Sequence, residues 1–399
     1  MSKVLFIGGP GEGHVNPTLP LVKELIRRGE EVVYFCSEEY REKITETGAE
    51  FRAYADFLHG KRPEDIQHFL EFILLLLDSS QQVIPDILQQ VQGEQYDYVI
   101  HDSLFGWGRL ISQVLKVPSV TSSTSFASTG KPPKMFGQTK MQKVKDLLSG
   151  GKYIPSINRK SKQLASCYGI PVPSIDHIFY QKGDLNLVYM SEEFQPDRHR
   201  LKGEYVFVGP SIGEKRGDVE FPFEKLDGRP LVYVSIGTVL KSNSLFQQCI
   251  EAFSDLECQV IMSVGRNTDL RQFEHAPHNF LIRPYVPQLE ILKRTDVFIT
   301  HGGMNSTMEA LAFHVPLIVV PQTSDQPMVA ARIIDLGCGV GIAKNAITPS
   351  RLRSAVERLL QDSTYKKSAE RIGDSLRSSG GYRRAADEIE KWKVRLSIG

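Results

Sequence analysis

The sequence predicts an α/β protein with two doubly wound parallel-sheet domains in tandem. Three observations lead to this prediction. The 399 residues are more than one hydrophobic core usually serves. Apolar strand patterns alternate with helical patterns in both halves, as is typical of βαβ units and parallel sheets. A charged segment rich in Gly and Pro, residues 211–230, interrupts this alternation and indicates a linker.

The first half opens with a strand, a helix and a second strand, which is the order of a βαβ unit. The helix has its apolar residues at helical spacing and stops at Gly29. In chain order the predicted elements are strand KVLFIGG, helix TLPLVKELIRRG, strand EEVVYFCS, strand YDYVIHD, helix GWGRLISQVLK, and strands VPSVTSS, LNLVYMS and YVFVGP.

The second half repeats the alternation and ends in amphipathic helices. The predicted elements are strand LVYVSIGT, helix LFQQCIEAFSDL, strands CQVIMSVG, NFLIRPYV and DVFITHGG, helix NSTMEALAF, strand PLIVVPQ, and a helical C-terminus from about Pro349. We therefore expect an N-terminal Rossmann-like domain over residues 1–210, the linker, a second Rossmann-like domain over 231–380, and a final helix over 381–399 that packs back on the first domain. Ligands of such sheets bind at the carboxyl ends of the strands, and two facing domains would form a cleft.

Composition excludes several classes of function. The net charge is +1 and no basic stripe is present, which argues against nucleic-acid binding. The five Cys form no CxxC pair, so reduced thiols in a reducing cytoplasm are expected. The N-terminus lacks the pattern of a signal peptide, and the most apolar stretch, FLEFILLLLDSS, is too short to span a bilayer. We expect a cytoplasmic protein without stable membrane association.

The segment from Phe298 to Gln326 carries an unusual set of polar residues between two apolar runs. Gly302 and Gly303 end a strand and allow a ligand to approach the backbone closely. Asn305 and Ser306 follow, where a helix begins and its N–H groups favour an anion. Ser and Asn cap helices in many proteins, so this pair alone would indicate only a capped helix.

The surrounding residues favour a nucleotide. His301 can donate a hydrogen bond to phosphate, and Glu309, one turn into the helix, can accept from ribose hydroxyls. Asp325 and Gln326 follow the next strand and provide the carboxylate and amide that bind sugar hydroxyls. Upstream, an aromatic residue at Tyr285 could stack on a base, and an amide at Gln288 lies near it in sequence.

A candidate general base lies in the first half. His14 stands in the glycine turn GEGHVNP after the first strand, and histidine is suited to proton transfer near neutral pH. Asp102 ends a later strand of the same domain and could orient the imidazole. By strand alternation, His101 points the other way, so we interpret it as a packing residue.

The segment YVPQLEILKRTDVFITHGGMNSTMEALAFHVPLIVVPQTSDQ resembles the nucleotide-sugar signature of UDP-dependent family-one glycosyltransferases, of the bacterial macrolide- and flavonoid-glycosylating type. GEGHVNPTLPLVKEL also fits, so the resemblance covers nearly the whole chain. It implies the GT-B fold: two facing Rossmann-like domains, with donor bound by the second and acceptor by the first. Plant members usually have Trp where this chain has Tyr285. The resemblance assigns His14 and Asp102 to catalysis.

The resemblance also implies which residues contact each part of the donor. It implies that His301, Asn305 and Ser306 hold the diphosphate, Glu309 the ribose, and Asp325 and Gln326 the sugar. The uridine would be bordered by Tyr285, Val286 and Gln288. Further donor contacts are implied for Gly13, Gly303, and Gly237 and Thr238 of the SIGT turn.

The acceptor side is predicted from apolar and aromatic residues in the connections of the first domain. We expect Phe57, Phe105, Ser123 and Phe126 to line an acceptor site over His14 for a hydrophobic, hydroxylated small molecule. No Asp-x-Asp occurs in the chain, and a helix N-terminus can neutralise the leaving diphosphate, so no metal is expected. UDP-sugar is expected as co-substrate without a tightly bound cofactor, and the protein as a monomer.

Three alternatives remain open from the sequence. A dinucleotide-dependent oxidoreductase would use Gly9, Gly11 and Gly13, but His14 occupies the last glycine position of that fingerprint. A nucleotide-sugar epimerase, or a transferase acting on lipid-linked intermediates, would keep the fold and change the reaction. A catalytically silent UDP-sugar-binding activator is disfavoured because both His14 and Asp102 are present.

Overall fold

A computed structural model describes residues 2–57, 69–129, 134–137, 149–175, 178, 181–213, 220–237, 243–266, 268–322 and 325–398. The chain forms two compact units. Unit 1 comprises Met1–Lys131, Gln138–Ile212 and Ser379–Gly399, and unit 2 comprises Pro132–Gly137 and Gly213–Ser378.

Unit 1 contains a parallel sheet in the order β3-β2-β1-β4-β5-β6-β7. Its strands are β1 (Lys3–Ile7), β2 (Glu31–Cys36), β3 (Glu50–Ala53), β4 (Tyr98–Asp102), β5 (Ser119–Ser123), β6 (Leu185–Val188) and β7 (Tyr205–Phe207). The chain order runs outward in both directions from the β1–β4 pair. This pair is therefore the switch point of the sheet, where doubly wound proteins bind their ligands.

Helices cover both faces of this sheet, which explains why its strands read as continuous apolar runs. In β1, Val4 and Phe6 pack into one hydrophobic core and Leu5 and Ile7 into another. The helices of unit 1 in the first part of the chain are α1 (Glu12–Val15), α2 (Leu19–Arg27), α3 (Arg41–Thr45), α4 (Phe69–Gln90), α5 (Trp107–Leu115) and α6 (Ile154–Tyr168). The apolar stretch FLEFILLLL lies in α4.

Unit 2 contains a second parallel sheet, in the order β10-β9-β8-β11-β12-β13. Its strands are β8 (Leu231–Ser235), β9 (Gln259–Ser263), β10 (Phe280–Arg283), β11 (Val297–Thr300), β12 (Leu317–Val319) and β13 (Gly339–Gly341). Its helices are α7 (Asn243–Phe253), α8 (Gln288–Leu292), α9 (Met304–Ala312), α10 (Gln326–Asp335), α11 (Pro349–Gln361) and α12 (Ser363–Ser378). The switch point of this sheet lies between β8 and β11.

The last helix, α13 (Gly381–Leu396), belongs to unit 1. Arg28, just after α2, forms ion pairs with Asp387 at 2.7 Å and Glu390 at 3.1 Å. The buried ring of Trp392 packs edge-on against Tyr98 of β4, with ring centroids 5.7 Å apart. The final helix therefore contributes to the core of the first unit.

The units do not follow the predicted domain bounds everywhere: residues 379–380 belong to unit 1, and the predicted linker divides after Ile212. Pro132–Gly137 belongs to unit 2, although the sequence analysis places it in the first domain. Within it, the N–H of Phe136 donates to the carbonyl of Pro327 at 2.9 Å, beside α10. Contacts of this kind join segments distant in sequence, so no local composition could indicate them.

Two short strands were also missing from the prediction. β3 has four residues and β13 three, and neither carries an apolar run long enough to be recognised. Both lie at a sheet edge, where pairing with one neighbour defines the strand. In the part of the chain that the structure describes, none of the helices combines the length and apolar character needed to cross a bilayer.

Candidate active site

A histidine and an aspartate meet at the switch point of the first sheet. His14 lies in α1, directly after the glycine turn that follows β1, and Asp102 is the last residue of β4. His14 Nδ1 lies 2.7 Å from Asp102 Oδ2. Because β1 and β4 are neighbours, their carboxyl ends bring together two residues that are 88 positions apart in sequence. The pairing predicted from the sequence is present.

The environment of Asp102 favours one orientation of the imidazole. The side chain of Asp102 is only 3% exposed, and Oδ1 accepts the backbone N–H of Leu104 at 2.7 Å. Since a carboxylate accepts hydrogen bonds, Nδ1 of His14 carries the proton and donates a hydrogen bond to Asp102. Nε2 then carries the lone pair of the neutral ring. Thr124 Oγ1 lies 3.2 Å from Nδ1, and the ring of Phe105 packs against His14 with centroids 5.4 Å apart.

The neighbouring histidine has a different environment. His101 is fully buried, and its Nδ1 lies 3.0 Å from the backbone oxygen of Asp102. Burial lowers the pKa of His101 to about 4, because the charged form is poorly solvated in the core. His101 is a core residue of unit 1, in agreement with its interpretation as packing.

The switch point of the second sheet carries the polar residues that follow β11. Helix α9 begins at Met304, after Gly303 at the N-cap position. Gly302 has a φ of 87°, a left-handed conformation that glycine adopts without strain. This turn directs the first N–H groups of α9, which have no acceptor within the helix, toward the carboxyl edge of the sheet.

Four predicted donor-site residues form one hydrogen-bonded network in unit 2. Glu309 is at its centre and only 1% exposed. Its Oε2 accepts from Gln288 Nε2 at 2.7 Å, and its Oε1 accepts from Asn305 Nδ2 at 2.8 Å. Gln288 Nε2 also lies 3.3 Å from Ser306 Oγ. Helices α8 and α9 thus bring together residues from two separate parts of the sequence signature.

Tyr233, which the sequence analysis did not select, extends this network. Its hydroxyl donates to Gln288 Oε1 at 3.1 Å. The ring belongs to β8 and stacks on Phe298 of β11, with centroids 4.8 Å apart and planes 7° apart. Its sequence context, LVYVS, looks like an ordinary buried strand, so only the tertiary contact reveals the hydroxyl's partner.

His301 directly follows β11, and its ring lies near the end of β8. Burial lowers its pKa to about 4, and a hydrogen bond with the backbone of Ser235 acts in the opposite direction. The imidazole is therefore neutral at pH 7 and can donate one N–H. Two glycines confine the ring: a methyl group at Gly303 would lie 2.6 Å from Nε2, and one at Gly237 would lie 3.0 Å from Cε1.

The predicted base-stacking residue has a cationic neighbour. The guanidinium of Arg266, in the loop after β9, lies 5.0 Å from the centroid of the Tyr285 ring. This distance is that of a cation–π contact. The corresponding signal in the sequence is a basic residue that follows the predicted strand CQVIMSVG. Val286 is buried, and Thr238 lies outside the described residues.

Asp325 and Gln326 lie where α10 begins, as predicted for the segment after β12. The carbonyl side of the Gln326 amide is already engaged, since Oε1 accepts the backbone N–H of Gln322 at 2.7 Å. A methyl group at Gly302 would lie 3.6 Å from the Gln326 carbonyl, so this segment adjoins the glycine turn of β11. The structure therefore places Gln326 beside the α9 turn.

Gly13 and the four predicted acceptor residues lie in unit 1. Gly13 precedes His14 in α1, apart from the other donor residues in the chain. Phe57 and Phe105 pack with Trp107 in one aromatic cluster. Phe126 instead stacks on Phe194 and lines a small cavity together with Ser123. All four side chains are largely buried. They lie in two separate groups, Phe57 with Phe105 and Ser123 with Phe126.

Comparison with known proteins identifies the class of protein to which this chain belongs. The model of the erythromycin biosynthesis protein CIII-like, C-terminal domain matches residues 247–389. The chain is 37% identical over 396 residues to the uncharacterized UDP-glucosyltransferase YojK of Bacillus subtilis (strain 168), covering 98% of this chain and 97% of that one. It is 33% identical to NDP-glycosyltransferase YjiC of the same strain, covering 99% and 98%. The crystal structure of the calicheamicin glycosyltransferase CalG4 matches with a TM-score of 0.84 at 26% identity, covering 99% of both chains.

The two parallel-sheet units and these structural neighbours define a glycosyltransferase of GT-B fold. The chain belongs to the UDP-dependent family-one glycosyltransferases, in the bacterial group that also contains natural-product glycosyltransferases. The resemblance seen in the sequence is thereby confirmed, and the oxidoreductase alternative is wrong.

The confinement of His301 leads to a prediction about Gly303. Gly303→Ala should lower the free energy of unfolding by about 1–3 kcal/mol, because the new methyl group overlaps the imidazole, and a shift of the ring would disturb its hydrogen bond with the Ser235 backbone. The backbone of Gly303, with φ −60°, accepts alanine, so the effect would come from the side chain alone. Urea denaturation followed by circular dichroism measures it.

Gly151→Ala is the matched control, since a methyl group there meets no atom within 4 Å. It should change stability by less than about 0.5 kcal/mol. Equal urea midpoints for the two variants would show that the ring of His301 is not confined as described.

Proposed function

We propose that this protein is an inverting glycosyltransferase that moves a hexose, glucose in the first instance, from a UDP-sugar to a hydroxyl group of a hydrophobic small molecule. The proposed acceptor is a flavonoid, another phenol or a macrolide. The observation that carries the proposal is the His14–Asp102 pair at the switch point of the first sheet. The names of the relatives support a UDP-linked donor, since YojK is described as a UDP-glucosyltransferase.

In this mechanism His14 acts as the general base. Its Nε2 takes the proton of the acceptor hydroxyl as the oxygen attacks the anomeric carbon. The new C–O bond forms while the bond between the anomeric carbon and the UDP oxygen breaks, and UDP leaves with that electron pair. A single displacement of this kind inverts the anomeric centre. Asp102 holds the Nδ1–H and stabilises the imidazolium that forms.

The residues of unit 2 would hold the donor. The N-terminus of α9, with Asn305 and Ser306 in its first turn, presents N–H and side-chain groups suited to a diphosphate. A neutral His301 would contribute its single N–H by exchanging its hydrogen bond with the Ser235 backbone for one to the phosphate. Glu309 could accept from ribose hydroxyls with the lone pairs that its two amide partners leave. The N–H and hydroxyl groups at the N-terminus of α9 would stabilise the charge that develops on the leaving UDP, as electrostatic catalysis requires.

Tyr285 would stack on the uracil, and Arg266 is the cation that already contacts its ring. The sugar itself would be recognised by Asp325 and Gln326 at the start of α10. This division places nucleotide recognition on α8 and α9 and hexose recognition on α10.

The acceptor would lie against the aromatic side chains near His14. Phe105 packs directly on the imidazole, and Phe57 and Trp107 pack behind it. An apolar surface next to the base would exclude water, which would otherwise compete with the acceptor hydroxyl for the anomeric carbon. This surface suits a planar aromatic or aliphatic ring better than a charged acceptor.

Incubation with UDP-glucose and a panel of phenols and macrolides tests the proposal. We expect a mass gain of one hexose on at least one acceptor, and we expect the transfer to persist in EDTA, because the N-terminus of α9 would stabilise the diphosphate without a divalent ion. Heat-inactivated protein is the control. Loss of transfer in EDTA that magnesium or manganese restores would contradict metal independence, and an absence of transfer across the whole panel would count against the acceptor class.

Substitution of the base gives the second functional prediction. His14→Ala should remove nearly all transfer and leave UDP binding unchanged, because the proposed nucleotide contacts lie in unit 2. Asp102→Asn should reduce kcat by orders of magnitude but less than His14→Ala, since the imidazole loses its negative partner. Transfer rates and calorimetric titration with UDP measure the two effects separately.

His101→Gln is a useful comparison because His101 is buried and contacts the backbone oxygen of Asp102, whereas His14 contacts its carboxylate. It should affect stability more than kcat of the folded fraction. Near-normal turnover by His14→Ala would mean that the base has been assigned to the wrong residue.

The proposed separation of phosphate contacts from sugar contacts in the donor site gives the third functional prediction. Ser306→Ala should weaken UDP and UDP-glucose by a similar factor, about ten- to a hundredfold for one charge-assisted hydrogen bond. Gln326→Ala should leave UDP affinity nearly unchanged but reduce transfer, or alter the choice among UDP-glucose, UDP-galactose and UDP-N-acetylglucosamine. Calorimetry with UDP and a donor competition assay distinguish the two residues.

Gln326→Glu is the matched variant for Gln326, because a carboxylate can still accept the N–H of Gln322. If the amide binds the sugar, Gln326→Glu should change donor choice while the local backbone stays in place. If Gln326→Ala weakens UDP as much as Ser306→Ala does, the assignment of Gln326 to the sugar is wrong.

A further inference from the structure

Beneath the proposed nucleotide site, one buried hydroxyl makes a contact that the mechanism above does not use. Tyr233 is 1% exposed, and its ring is fixed by the stack on Phe298 between the two central strands of unit 2. Burial raises the pKa of Tyr233, so its hydroxyl keeps its proton. It donates that proton to Gln288 Oε1 at 3.1 Å.

The carboxylate of Glu309 determines the orientation of the Gln288 amide. The Glu309 carboxylate lies 2.7 Å from the amide on the opposite side from Tyr233. A carboxylate accepts hydrogen bonds, so the amide must turn its NH₂ group toward Glu309 and its oxygen toward Tyr233. The phenolic proton is the donor that satisfies this oxygen. Tyr233 and Glu309 therefore fix both ends of the same side chain.

Asn305 is held through the same carboxylate. Its Nδ2 donates to Glu309 Oε1 at 2.8 Å, one turn earlier on α9. The hydrogen bonds thus run from Tyr233 through Gln288 and Glu309 to Asn305, and each link restricts the next. The last three of these residues are proposed to contact the nucleotide. Tyr233 lies below them, at the start of the series.

We propose that Tyr233 is a positioning residue for nucleotide binding: its hydroxyl sets the Gln288 amide and, through Glu309, the Asn305 amide before the ligand arrives. This inference rests on the proposed function, in which unit 2 binds a uridine nucleotide. Side chains that are already ordered lose less conformational freedom when the ligand binds, so the affinity is higher. Tyr233 need not touch the ligand for this effect.

Tyr233→Phe isolates the hydroxyl, because phenylalanine keeps the ring and its stack on Phe298. We expect UDP to bind about 3- to 10-fold more weakly, the effect of one neutral hydrogen bond. KM for the UDP-sugar should rise by a similar factor while kcat changes little, since the base lies in unit 1. A purely structural role would instead lower the thermal midpoint and the active fraction, leaving the UDP affinity and KM of the folded protein unchanged.

Tyr189→Phe is the matched control. Tyr189 is also buried, and its hydroxyl lies 3.0 Å from Ser122 Oγ in unit 1. Its loss should cost comparable stability but leave UDP affinity at the wild-type value. A double-mutant cycle adds a second test: in a Gln288→Ala background, Tyr233→Phe should have no further effect on UDP affinity, because its partner is gone.

Calorimetric titration with UDP separates the outcomes. If the unsubstituted protein binds UDP and Tyr233→Phe binds it equally well, the inference is overturned and the proposed function stands. Additive effects of Tyr233→Phe and Gln288→Ala would also overturn it, because the two residues would then act independently. If the unsubstituted protein fails to bind UDP, the proposed function itself fails, and the inference fails with it.

Discussion

A buried carboxylate must be supplied with hydrogen-bond donors, and both units of this protein are organised around one. Asp102 in unit 1 is held by an imidazole and a backbone N–H, and Glu309 in unit 2 by two amide side chains. An unpaired carboxylate at either position would be strongly destabilising, so the donors are held in place by the energetics of folding. The same donors are the groups proposed to act on the ligands. Stability and preorganisation therefore have the same cause at these two positions.

The parallel sheet explains where these carboxylates lie. In both units the central pair of strands, β1–β4 and β8–β11, runs in the same direction with sequential strands on either side. The carboxyl ends of the central strands consequently converge, and the loops and helices that follow them diverge to opposite faces. His14 and Asp102 meet at the first convergence, and His301, Asn305 and Glu309 cluster at the second. Any sheet with this strand order has such a position at its switch point, whatever residues occupy it.

The two sites differ in the chemistry that their surroundings favour. His14 keeps 23% of its side chain exposed and is oriented by a carboxylate, which suits a group that must exchange a proton with a ligand. His301 is half-buried, and in the part of the chain that the structure describes its ring has a backbone partner, Ser235, rather than a carboxylate; desolvation lowers its pKa to about 4, and it remains neutral near pH 7. A histidine near the end of a central strand in each unit thus has a different environment, with a carboxylate partner in unit 1 and a backbone partner in unit 2. Burial and the neighbouring charge account for the difference.

Much of this arrangement could be predicted from the sequence alone. Apolar runs buried on both faces predicted the central strands, and glycine turns with His14, His301, Asn305 and Ser306 predicted polar sites at their ends, because these signals are local and periodic. The short strands β3 and β13, the membership of Pro132–Gly137 in unit 2, and the contacts of Tyr233 and Arg266 were decided only by tertiary structure. Each depends on a partner tens of residues away or on pairing at a sheet edge. A hydroxyl within an apolar strand has no distinguishing pattern in sequence, since its role is defined by which amide the folded chain places beside it.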